Sequence, residues 1–107
     1  MAFDIVLAPE AARVLQKLRG HERALVKDTI ARHLRYEPTK VSKSRIKRLR
    51  GLSQPQYRLR VGDIRVFYDV TETAVEVLAI VPKAQAQAWL AEKGTPSPGG
   101  GAGASQG

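Results

Sequence analysis

From Arg32 to Arg65 the chain carries Arg32, Arg35, Lys40, Lys43, Arg45, Lys47, Arg48, Arg50, Arg58, Arg60 and Arg65, with only Glu37 and Asp63 against them. Guanidinium and ammonium groups stay protonated at neutral pH. Their chemistry is charge neutralisation and hydrogen bonding to phosphate or carboxylate, not proton abstraction. The whole chain has a formal net charge of +8. Scattered charge keeps a small protein soluble, but one sign gathered in one stretch is the electrostatic footprint of a polyanion partner. Other reactive side chains are sparse. There is no cysteine, which removes disulfides, thiolate nucleophiles and cysteine-ligated metals. His21 and His33 have neither a carboxylate nor a second histidine at ligand spacing, so no metal site and no cofactor are expected.

The densest arginines sit on a segment that alternates in character. Gln56 to Val61 (QYRLRV) and Ile64 to Val70 (IRVFYDV) flank Gly62-Asp63, a two-residue turn with glycine where a II′ turn needs it. This hairpin sets Val61 against Ile64, Arg60 against Arg65, Leu59 against Val66, Arg58 against Phe67 and Tyr57 against Tyr68. Side chains alternate across a strand, so Tyr57, Leu59, Val61, Ile64, Val66 and Tyr68 share one face while Arg58, Arg60 and Arg65 share the other. Continuing through the next turn, Val70 meets Val75 and Asp69 meets Glu76. Val75, Val77, Ala79 and Val81 then join the apolar face, and Leu78 and Ile80 join the arginine face with Phe67.

Two arginines directly opposite one another cost a fraction of a kcal/mol to about 1 kcal/mol when no anion lies between them. Either they splay into water or pair with Asp69 and Glu76, or the half-open face is a phosphate-binding groove. The apolar residues on this side need a cover, for which a C-terminal helix carrying Trp89 is the candidate. Followed by Leu90, Trp89 fits a packed helix face better than a platform for a base.

The remaining elements must hold this hairpin. Phe3 to Ala8 reads as a strand, and Pro9 and Glu10 suit the first turn of a helix that presents Ala11, Val14, Leu15 and Leu18 and ends at Gly20. A second helix runs from about His21 to Tyr36, with Ala24, Leu25, Ile30, Ala31 and Leu34 as its apolar stripe, and stops before Pro38. Thr39 to Arg45 is a basic loop. Ala74 to Val81 is the third strand of a meander, and Pro82 opens a helix over residues 83 to 93. The expected class is α+β, in the order β-α-α-β-β-β-α.

Residues 1–93 form the expected domain. From Gly94 to Gly107 the chain is nearly all Gly, Ala, Ser and Pro and is expected to be a disordered tail. A domain of roughly 90 residues buries only about 60–65% of its unfolded surface, enough for one helix-on-sheet core and no deep cofactor pocket. Phe3 to Ala8 is too short and too polar for a signal peptide, and no apolar run reaches membrane-spanning length. A cytoplasmic protein is expected.

Arg48-Leu49-Arg50-Gly51, then Tyr57-Arg58-Leu59-Arg60-Val61-Gly62-Asp63-Ile64-Arg65-Val66-Phe67-Tyr68 and the apolar strand from Val75 to Ile80, resemble the core of the RelE/ParE toxins of type II toxin-antitoxin systems. With the helical hairpin before it, the resemblance covers residues 1–93 and implies a RelE-like fold. In the RelE branch it implies a ribosome-dependent, metal-independent mRNA endoribonuclease, in which a ribose 2′-hydroxyl attacks the adjacent phosphate and translation is inhibited. Arg58, Arg60 and Arg65 match the family's basic residues around the turn, and Lys83 stands where an arginine follows the last strand; these four are the implied catalytic group. Such residues stabilise the added charge of a pentacoordinate phosphate. Lys43, Arg45, Lys47, Arg48 and Arg50 are the expected contacts to RNA or the ribosome.

The implied partners are an acidic antitoxin, the ribosome and mRNA, with DNA reached only through the antitoxin complex. The chain departs from the pattern after Lys83, where Ala84-Gln85-Ala86-Gln87-Ala88-Trp89 brings neither tyrosine nor histidine, and the general base is unassigned. Two further readings therefore stand beside the nuclease: a gyrase inhibitor like the ParE branch, and a degenerate member that binds antitoxin or RNA without toxicity.

Overall fold

Proline, apolar spacing and strand alternation divide the chain much as these patterns require. The computed structural model describes residues 2–98, which contain β1 (Asp4–Leu7), α1 (Pro9–Lys17), α2 (Gly20–Leu34), β2 (Ile46–Arg48), β3 (Leu52–Gln54), β4 (Tyr57–Val61), β5 (Ile64–Val70), β6 (Ala74–Pro82), α3 (Lys83–Lys93) and β7 (Thr95–Pro96). Five strands form one sheet in the order β1-β6-β5-β4-β2, with β1 parallel to β6 and the other pairs antiparallel. A second, two-stranded sheet joins β3 to β7. The expected α+β plan of strand, helical hairpin, meander and C-terminal helix holds; β2, β3 and β7 are additional short strands. Within the expected disordered tail, Gly94 caps α3 and Thr95–Pro96 instead pair with β3 as β7, while residues 99–107 lie outside the described residues.

The hairpin register is as the turn chemistry dictates. Tyr57 pairs with Tyr68, Arg58 with Phe67, Leu59 with Val66, Arg60 with Arg65 and Val61 with Ile64. Gly62 has φ +58° and no residue other than glycine has positive φ among the described residues, the pattern of a II′ turn. Asp69 meets Glu76 and Val70 meets Val75.

Beyond that point the expectation fails. Tyr68 pairs with Val77 but Phe67 pairs with Ala79, so Leu78 is an extra residue in β6. This bulge shifts the alternation by one. Ile80 therefore joins the core, whereas Ala79 and Val81 pair with Phe67 and Arg65 on the other face. Four successive apolar residues, Leu78 to Val81, fit either register, so alternation alone could not reveal the slip.

One face of the sheet carries the core. Leu59, Val61, Ile64, Val66, Tyr68, Val75, Val77 and Ile80 pack with Ile46 of β2, Ala11 and Leu15 of α1, and Val26, Ile30 and Leu34 of α2. Each large side chain buried there contributes about 1.5–3 kcal/mol. Of the expected stripe of α2, Ile30 and Leu34 are buried, joined by Val26 and Thr29, whereas Ala24, Leu25 and Ala31 are exposed, Leu25 by 51%.

Gly20 also differs from expectation: it is the first residue of α2, not the end of α1. The Arg23 guanidinium accounts for this, because its Nη1 donates to the carbonyls of Gln16 (3.0 Å) and Leu18 (3.2 Å) and caps α1 without a glycine. The loop after α2 is tied to the sheet by the Tyr68 hydroxyl, which donates to the Pro38 carbonyl at 2.6 Å.

Candidate nucleic-acid interface

Strand register brings the sequence-predicted arginines together. In the row nearest the Gly62-Asp63 turn, Arg60 of β4 faces Arg65 of β5, which faces Val81 of β6. The next row, about 7 Å along the strands, runs Lys47, Arg58, Phe67, Ala79. A third holds the Asp69–Glu76 pair.

The three arginines differ in freedom. Arg65 is only 8% exposed, and its Nη1 donates to the carbonyls of Gly62 (2.8 Å) and Ile64 (3.1 Å), so it braces the turn. Arg60 stands in solvent. Arg58 is half-buried, and its Nε has no hydrogen-bond partner. Burial, then the charges of Arg65 and Arg60, hold the Arg58 pKa below the usual guanidinium value. That combination of desolvated donor and like charges is relieved when an anion arrives.

No carboxylate supplies that relief. Among the described residues the salt bridges are Arg32 to Asp28 (3.0 Å) and Lys40 to Glu37 (3.7 Å), both on or just after α2. Asp69 does not pair with the arginines. Its oxygens accept from Gln54 Nε2 (2.7 Å) and the Gln56 N–H (2.8 Å).

The other candidates divide between this face and its surroundings. Lys47 lies on it, opposite Arg58. Arg45 borders it, with Nη1 donating to the Arg60 carbonyl at 2.8 Å. Lys83 begins α3 at the turn end, where its N–H donates to the Asp63 carbonyl at 2.7 Å. Lys43 and Arg50 are exposed in the segments before and after β2. Arg48 turns the other way, its guanidinium carbon 5.0 Å from the centre of the Tyr57 ring, which itself stacks on Tyr68.

Helix α3 covers part of the face. Trp89 stacks on Phe67 with ring centres 5.1 Å apart and planes 4° from parallel, leaving the indole N–H buried without a partner. No residue of α3 is fully buried. The arrangement provides a fixed cationic bed beside a hydrophobic wall. It contains neither histidine nor tyrosine, and among the described residues no three His, Asp or Glu side chains gather to hold a metal. Its chemistry is stabilisation of phosphate charge.

A second feature was missed from sequence. Arg32, His33, Tyr36, Glu37, Lys40, Ser42 and Arg45 line a cleft of about 300 Å³. Burial, then Arg45 and Arg32, hold the His33 pKa below the usual imidazole value. No local spacing signals it, because it joins the end of α2 to Ser42 and Arg45 across a loop.

No protein-family model matches the sequence, and no curated protein matches it. Solved structures do. A chain of the archaeal RelE–RelB complex from Pyrococcus horikoshii is 24% identical, with 79% of this chain and 99% of that one covered and a TM-score of 0.60. A chain of the toxin–antitoxin complex RelBE2 from Mycobacterium tuberculosis is 26% identical over 78% and 94%, also with a TM-score of 0.60. A mutant of the E. coli toxin RelE in the free state is 21% identical over 86% and 94%, with a TM-score of 0.53.

Proposed function

From a chain that has the fold of the RelE superfamily, we propose the toxin of a type II toxin-antitoxin pair, which binds RNA on its arginine face and cleaves mRNA in the ribosome. The observation that carries this reading is the placement of Arg58, Arg60 and Arg65 on one sheet face with no carboxylate paired to them among the described residues. In this role Arg60 and Arg58 bind the scissile phosphate and stabilise the charge added when the ribose 2′-hydroxyl attacks. Arg65 holds the turn that presents them, and Lys83 stands at the same end for the leaving 5′-oxygen. Lys43, Arg45, Lys47 and Arg50 extend the contact to RNA backbone. The partner that neutralises the toxin is an acidic antitoxin, in line with the RelE–RelB complexes among the structural neighbours. The site of action is the cytoplasm; no helix among the described residues is long and apolar enough to cross a membrane.

A reading without cleavage is favoured by one observation. No tyrosine or histidine follows Tyr68 in this sequence, so β6 and α3 bring neither of the two side chains that the resemblance leads one to expect there. A gyrase inhibitor or a non-toxic RNA- or antitoxin-binding relative requires none.

The deciding experiment adds protein to ribosomes carrying a defined mRNA and maps new 5′ ends, with Arg60→Ala and ribosome-free mRNA alongside. Arg60 is preferred to Arg65 because it is exposed and holds no turn. Cuts in the decoding-site codon that need both ribosomes and Arg60 support the nuclease. Intact mRNA at excess protein rejects it, and a gyrase supercoiling assay then separates the two remaining readings.

A further inference from the structure

The cleft at the end of α2 lies outside the arginine face but touches it through one residue. Arg45 lines the cleft and also donates to the backbone carbonyl of Arg60. The walls are basic: Arg32, His33, Lys40 and Arg45 face a single lining carboxylate, Glu37, which is 3.7 Å from Lys40. Tyr36 is 63% exposed and takes no part in the core, an aromatic surface kept in water at the rim of a cationic hollow. The far wall is preorganised, because Ser42 Oγ accepts from the N–H groups of Arg45 (3.0 Å) and Ile46 (3.2 Å). Its volume is at the lower end of the range for small-molecule sites. Cations for a phosphate beside an exposed ring for a base make the pairing that binds single-stranded nucleic acid.

We propose that this cleft is a second nucleotide site, holding one phosphate and stacking one base of an RNA strand whose neighbouring phosphates lie on the arginine face. The inference rests on the RNA reading of that face. In the cleft, Arg45 and His33 hold the phosphate, Tyr36 stacks the base, and Arg45 carries the strand across to Arg60.

The test uses the full chain and two probes. Adenosine 5′-monophosphate is titrated against the protein while the imidazole resonances of His33 and His21 are followed by NMR, with inorganic phosphate in a parallel series. A labelled RNA hexamer is bound by the wild type, Tyr36→Ala and Arg60→Ala, read by fluorescence anisotropy. The mononucleotide is expected to shift the His33 resonance and raise its titration midpoint while His21 stays put. Tyr36→Ala is expected to weaken the hexamer about tenfold.

The proposal is overturned if His33 does not respond to the mononucleotide, or if inorganic phosphate acts as strongly and Tyr36→Ala is neutral, which leaves an anion site with no base. Weakening by Arg60→Ala with a silent cleft keeps the arginine face and rejects the cleft. Conversely, a hexamer insensitive to Arg60→Ala but weakened by Tyr36→Ala, with His33 responding, removes the RNA reading of the face and overturns the shared strand, leaving nucleotide binding in the cleft alone.

Discussion

Leu59 and Arg60 are neighbours in the chain, yet Leu59 is fully buried beneath the helices while Arg60 stands in solvent facing a second arginine. The contrast is sharpest along β4; in β5 the opposite face is buried as well, with Arg65, Phe67 and Asp69 only 8%, 1% and 9% exposed. The helix-side face interlocks branched and aromatic side chains against two helices, whereas the opposite face is shielded by one short helix with no fully buried residue. Alternation lets a small sheet separate its tasks. One set of residues supplies stability, and the set between them is free to hold like charges that folding alone would reject.

Because the two faces divide these tasks, adjacent substitutions in β4 are expected to act on different properties. Leu59→Ala should cost about 2–5 kcal/mol of unfolding free energy by denaturant titration. Arg60→Ala should leave stability within about 0.5 kcal/mol or raise it slightly, since it removes a like-charge pair. It should instead weaken RNA binding and make its salt dependence shallower by about 0.7 in log–log slope. A destabilised Arg60→Ala with unchanged RNA affinity would break the comparison.

A smaller effect belongs to Tyr68, whose hydroxyl is the polar tie on the packed side. Tyr68→Phe strands the Pro38 carbonyl and should cost about 1–3 kcal/mol. Burial foremost, then Tyr57, raises the Tyr68 pKa above its usual 10. Unfolded chains therefore lose this proton first as pH climbs past 10, and wild-type stability should fall there more steeply than that of Tyr68→Phe. Trp89→Ala tests the covered side, where loss of the stack on Phe67 should cost about 0.5–1.5 kcal/mol beyond the lost area.

His33 should give the smallest effect. Its folded pKa is lowered, so on acidification the unfolded chain takes up the proton first. Stability should decline slightly as pH falls from above 6.5 toward the folded value, then level off. His33→Gln should abolish that slope in a pH series of thermal melts.

What could be read without coordinates follows the same boundary. The β4–β5 register was legible because a two-residue turn with glycine at its first position fixes pairing, and because Arg58 and Arg60 alternate with Tyr57, Leu59 and Val61. The β6 register was legible only to Val77, since Leu78 to Val81 are all apolar and carry no period. Strands β2 and β3 escaped notice because three residues cannot display alternation, and Ile46-Lys47-Arg48 sits inside a basic run. The arginine face followed from the turn. Its cover by Trp89 was legible as a requirement, but the α2 cleft was not, because it joins the end of a helix to Arg45 across a loop.

The parallel pairing of β1 with β6 sets an order of assembly. During synthesis Asp4–Leu7 emerges about seventy residues ahead of its partner, Ala74–Val77. Helices α1 and α2 therefore leave the exit tunnel without the sheet that will cover them, and the five-stranded sheet closes only when the domain is nearly complete. Contacts between distant parts of a chain form slowly and leave apolar surface open in the meantime. Until β6 is available, the apolar faces of α1 and α2 have no complete sheet to pack against.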